Sequence, residues 1–193
     1  MTESPTGPVV DGAAFTLPPE ETEPERSQPH APTVALRCAS LLKPLYFWAA
    51  ATEPAYRDRP EAWAELAGPA VRESANDPTD AIWERCGADA LLDGIARLTG
   101  VHWHSDPSAE RSFGRVLVRA GEVARAFAAL AVAARDDATV AGPLLGWMRE
   151  VPHRQTFGAR DAAAEQLSAA PADVAVKPAG SSMTTRRHCA PTP

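Results

Sequence analysis

Between residues 36 and 158 the apolar side chains recur at intervals of three and four, the period of helices buried on one side, rather than at the alternation of strands. The pattern predicts an all-α domain, a single compact bundle of five to seven helices. In "LRCASLLKPLYFWAAAT" the spacing puts Leu41, Leu45 and Trp48 on one face, with Pro44 expected to kink or divide the helix because it has no amide to donate. "DRPEAWAELAG" follows, where Asp58 and Glu61 have the spacing of a capping box and Gly68-Pro69 is expected to end the turn.

The run "NDPTDAIWERCGADALLDGIARLTG" opens with Asp77 as an expected N-cap and Pro78 at the first helical position, buries Leu91, Leu92, Ile95 and Leu98, and closes at Gly100. Asp106-Pro107 repeats that start signal, so "SAERSFGRVLVRAG" is expected to be a helix with Phe113, Val116, Leu117 and Ala120 on one face. Gly121 breaks into "EVARAFAALAVAARDD", whose Val123, Phe127, Leu130 and Ala134 point inward, and the two segments predict a helical hairpin. A last helix, "GPLLGWMREV", starts after Gly142-Pro143 and stops at Pro152.

Composition narrows the folded unit. All five tryptophans, both tyrosines and four of the five phenylalanines lie between Tyr46 and Phe157. A core needs such side chains to offset the entropy of ordering the chain. Residues 1–35 instead carry seven prolines and six acids against Arg26 alone, and read as a disordered acidic arm of net charge −5. Residues 159–193 read as a mostly disordered Ala/Pro/Ser tail, apart from a short helix over "DAAAEQL". The remaining 36–158 holds 14 basic against 16 acidic residues, so the overall charge of −6 belongs largely to the arm and does not exclude a nucleic-acid partner.

The N-terminus lacks the basic-then-apolar run of a secretory signal, and no apolar stretch is long enough to cross a bilayer. Cys38, Cys86 and Cys189 have no close spacing, which argues against a disulfide framework or a cysteine-rich zinc site. The expectation is a cytoplasmic protein with reduced thiols, no membrane partner and no cofactor.

Candidate chemistry centres on "TGVHWHSDPSAERSFGR". His102, His104 and Asp106 resemble the front of the H-x-H-x-D-H run of metallo-β-lactamase-type hydrolases, because residues two apart on an extended segment point the same way and can reach one metal. That family sets its motif at the end of a β-strand. Here the flanks are helical, Pro107 stands where a histidine is needed, and Asp106 is claimed by a helix cap. A metal-dependent hydrolase is therefore the alternative, with Trp103 buried and both histidines in solvent as the competing picture.

No G-x-S-x-G and no Gly-rich phosphate loop occurs, Cys38 and Cys86 sit among apolar residues as small core side chains, and Asp136-Asp137 reads as a solvated helix end. No catalytic residue is assigned. Arg111, Arg115 and Arg119 recur at four-residue spacing opposite Phe113, which on a helix would form an exposed basic stripe able to track a phosphate backbone.

"GIARLTGV", Gly94 to Val101, resembles the first helix and turn of bacterial helix-turn-helix regulators, but Pro107 falls where the recognition helix should run. With a longer turn, "SAERSFGRVLVRAG" resembles the second helix of winged-helix modules in phage and plasmid replication proteins. "AALAVAARDDATVAGPLLGWMREV", Ala128 to Val151, resembles the end of the helical domain of plasmid replication initiators. Over residues 108–151 the resemblance implies a DNA-associated, non-catalytic role in a plasmid or integrated element. The expected protein is thus a non-enzymatic helical binding module whose partner is DNA or another protein. Trp63, Trp83 and Trp147, if exposed, would mark a homodimer face.

Overall fold

A computed structural model of the protein describes residues 15–16, 25–26, 35–104, 112–156 and 158–177. Among them the chain forms seven helices and two antiparallel strand pairs. Phe15–Thr16 (β1) pairs with Glu25–Arg26 (β2), and Leu36–Arg37 (β3) pairs across the chain with Leu117–Val118 (β4). The helices are Lys43–Ala50 (α1), Pro60–Arg72 (α2), Asp77–Cys86 (α3), Ala88–Thr99 (α4), Ala120–Asp136 (α5), Ala141–Arg149 (α6) and Ala159–Leu167 (α7). No helix among the described residues is long and apolar enough to cross a membrane.

Helix α1 is the axis of the bundle. All eight of its residues are buried, and α2, α3, α4, α5 and α6 each pack against it. Pro44 stands in its first turn and begins the helix instead of kinking it, because an amide there has no intrahelical acceptor to lose. The carbonyls at its far end find side-chain donors, Trp63 Nε1 on Phe47 O at 2.8 Å and Thr52 Oγ1 on Ala49 O at 2.7 Å. Tyr46 meets Trp83 edge to face at 5.1 Å. Gly94 lets α4 close onto α1, since a Cβ there would lie 2.8 Å from that of Ala49.

Several boundaries differ from the sequence pattern. Helix α2 runs straight through Gly68 and Pro69, because Trp63, Ala67, Ala70 and Val71 all bury on one side and the carbonyl that Pro69 leaves unmet, on Glu65, is at an exposed position. Asp58 caps nothing there; Arg59 holds the N-cap position. The long run from Asp77 to Thr99 is two helices. Gly87, at φ 85° and ψ 147°, turns the chain as only glycine readily does, closing α3 through its amide and opening α4.

The expected helix over 108–121 is absent in its described part. Phe113–Arg115 form one 3-10 turn, and 116–119 are extended. Cys38 N–H to Val116 O (2.9 Å) and Ala39 N–H to Gly114 O (3.0 Å) continue the β3–β4 pairing into a short ribbon. Consequently α5 begins before Gly121, and its hairpin partner is α6, not the preceding segment. The α5–α6 turn is organised by Asp137. Its carboxylate accepts from the amides of Thr139, Val140 and Ala141 and from the Thr139 hydroxyl, all within 3.0 Å.

Of the three tryptophans considered for a dimer face, Trp63 and Trp83 are buried and Trp147 is half-buried against Trp63, their rings 5.8 Å apart. Beyond residue 158, α7 is tied back by Arg160, whose guanidinium donates to the last carbonyls of α6 on Met148 and Arg149. Val176 N–H reaches Met148 O at 3.2 Å, and Val174 and Lys177 are buried, so the packed chain extends to Lys177.

Candidate functional site

The histidine segment has a buried centre and exposed flanks. Trp103 is buried, its indole N–H donating to Glu122 Oε2 at 3.0 Å, while His102 and His104 on either side face solvent. Asp106 lies outside the described residues. Among the described residues no three His, Cys, Asp or Glu side chains gather as metal ligands. Glu122 is instead a structural acceptor: burial pushes its carboxyl up, but hydrogen bonds from Trp103 and from the Arg119 amide and guanidinium outweigh this and leave it lowered. Cys38 is buried, its Sγ 3.2 Å from Phe113 O, and burial pushes the thiol up, away from nucleophilic use. Asp137 is likewise structural. Burial raises its carboxyl, yet its hydrogen bonds more than compensate and hold it at about 2.

The arginines gather for a reason other than the one their spacing suggests. Arg111 lies outside the described residues. Arg115 closes the 3-10 turn and Arg119 precedes α5, so no helix carries both. From 115 to 119 the chain is exposed, buried, exposed, buried, exposed in strict alternation, which is the period of a strand. Arg115, Leu117 and Arg119 therefore share the outer face of the ribbon, and Arg37 stands opposite Leu117 on β3, also exposed. Leu117 keeps 47 % of its surface and neighbouring Leu36 52 %, large values for leucine. Arg119 is braced by Glu122 at 3.1 Å, with 53 % of its side chain exposed.

Two further cations lie inside the fold, where the apolar pattern gives no hint of them. The chain has only two lysines, Lys43 and Lys177, among its nineteen basic residues, and both are buried. Lys43, in the first turn of α1, spends all three ammonium donors: on Ser74 O (2.6 Å), Ala75 O (2.8 Å) and Asn76 Oδ1 (2.8 Å). Its Nζ also stands 5.0 Å from the centre of the Phe113 ring. Burial lowers it to about 8, with the nearby Asp80 carboxylate pulling the other way. Lys177 has a buried Nζ with no hydrogen-bond partner among the described residues. Burial, and then the charge of Lys43, lower it to about 7. The available signal in the sequence is compositional: lysine is nearly always a surface residue, so two lysines against seventeen arginines is an imbalance that invites a look at where they sit.

No family model, curated protein or solved structure matches this chain.

Proposed function

We propose that this protein is a non-enzymatic helical binding module that associates with DNA through the outer face of the β3–β4 ribbon. The observation that carries the reading is the alternation over 115–119, which puts Arg115 and Arg119 beside Arg37 around an exposed leucine. Guanidinium groups bind phosphate oxygens in paired hydrogen bonds, and a two-stranded ribbon is narrow enough to lie in a DNA groove. Glu122 already compensates part of the Arg119 charge. The acidic arm joins the ribbon at Leu36, so its net charge of −5 is tethered beside these arginines and competes with phosphate for them.

A mobility-shift titration of the full chain over a salt series tests the reading. Binding should weaken steeply with salt, and Arg115→Glu or Arg37→Glu should reduce it about equally for all sequences and flatten the salt slope by roughly 1 per lost phosphate contact. Replacing Glu20, Glu21 and Glu23 by Gln in the same chain should strengthen it. No binding at low salt would overturn the DNA reading and direct attention to a protein partner, a second copy of the chain included.

A further inference from the structure

We infer that Leu117 is an apolar wedge, which enters the minor groove of the bound duplex, parts one base step and bends the DNA. The inference rests on the DNA reading above and adds how the ribbon engages the duplex. Its first support is where the side chain stands. Leu117 keeps 47 % of its surface at the centre of the arginine face. Arg115 and Arg119 lie two residues to either side, about 6–7 Å away along an extended chain, and Arg37 is its direct partner on β3. Because Cys38 N–H bonds to Val116 O, the next pair along, Arg37 with Leu117, is of the kind without hydrogen bonds, in which facing side chains approach most closely. A duplex satisfies both halves of such a face: phosphates meet the cations, and a parted base step gives the leucine an apolar slot.

The second support is what stands behind the side chain, since a wedge that gives way parts nothing. Val116 and Val118, its neighbours in the chain, are both buried on the inner face of the ribbon. On one side Phe113 O accepts from Tyr46 at 2.8 Å; on the other Glu122 accepts from the Arg119 amide at 3.1 Å and from the Trp103 indole at 3.0 Å. The backbone that carries Leu117 is therefore fixed at both ends. The choice of groove follows from the residue types. Major-groove readers add amide or carboxylate side chains for adenine and cytosine, whereas arginine with an inserted apolar side chain is the set that suits the minor groove. Leu36 is exposed too, but its partner is the buried Val118, so it belongs to the other face. Parting a step costs least at pyrimidine–purine steps, which gives the ribbon a preference among sequences without contact to base edges.

The test is a bending assay on the full chain. A duplex of about 30 base pairs, with a TpA step or an A-tract at its centre and a dye at each end, is titrated at low salt and its end-to-end distance read by energy transfer. The expected result is a bend of at least about 20° on the TpA duplex and weaker binding to the stiffer A-tract. Leu117→Ala should abolish the bend and weaken binding by up to about tenfold, with the salt slope unchanged because no phosphate contact is lost. Leu117→Phe, which keeps a wedge, should keep the bend, and Leu36→Ala should keep both bend and affinity. Replacing thymine by uracil should leave affinity unaltered; a loss would place Leu117 against the thymine methyl in the major groove and overturn the inference. Retention without a bend, or a bend that Leu117→Ala preserves, overturns it while the DNA reading stands. No retention at low salt overturns both.

Discussion

Helix α1 and the β3–β4 ribbon meet around Cys38 and Phe113, and treat their side chains in opposite ways. Every side chain of α1 is buried, including the lysine at its start, and Tyr46 sends its hydroxyl 2.8 Å to Phe113 O. On the ribbon, the stretch from 115 to 119 hides one residue and shows the next, and what it shows is arginine and leucine. A helix buried all round has no polar face, so it has no period to announce it. A five-residue alternation is too short to stand out within a helical background. The contrast teaches that the axis of this fold and its arginine-bearing ribbon are both places where helical periodicity is a poor guide.

The sharpest way to break the comparison is at the axis. Leu45→Ala removes a fully buried side chain that α1 packs into the centre of the bundle, and should cost about 2–5 kcal/mol in denaturant unfolding. A loss under about 1 kcal/mol would show that the site collapses readily and that α1 is not the axis. A smaller effect is expected at the α5–α6 turn. Asp137→Ala strips three amides and a hydroxyl of their acceptor and should cost roughly 1–2 kcal/mol near neutral pH. Because the folded state holds this carboxyl at about 2, below its ordinary 3.8, its contribution is complete above that ordinary value and is lost as pH falls through about 2. The two proteins should therefore converge in stability toward pH 2 and diverge above pH 4, a difference that unfolding curves over a pH series would measure. The smallest stability effect belongs to the ribbon. Arg115→Glu should stay within about 0.5 kcal/mol of the unaltered protein while still weakening DNA retention, separating an exposed binding face from a structural one.

Much of the helical architecture was legible. The mostly helical fold, the proline start of α3, the left-handed Gly100 that closes α4, and the stripe of Leu91, Leu92 and Ile95 follow from period and capping chemistry. The internal cuts were not. Gly87 sits in a run whose flanks are equally helical, and its positive φ separates α3 from α4, both of which pack against α1. Pro69 reads as a stop, yet burial of its neighbours carries the helix past it. At the candidate sites, charge and spacing mark the arginines but the helical period does not place them, since pairing with β3 is a contact from the far side of the sequence. Periodicity does not mark Lys177 at all; its burial is a property of the folded chain alone.

The ribbon joins Leu36 to Val118 and so closes a loop of about eighty residues, an entropic cost that a pair of two-residue strands cannot offset unaided. Its pairing therefore depends on α1 to α4 having already brought its ends together, helped by the meeting of Cys38, Tyr46 and Phe113. The arginine face is on this account not a portable motif. Cut out as a peptide or grafted elsewhere, residues 112–121 would keep their charges and lose the alternation that arranges them.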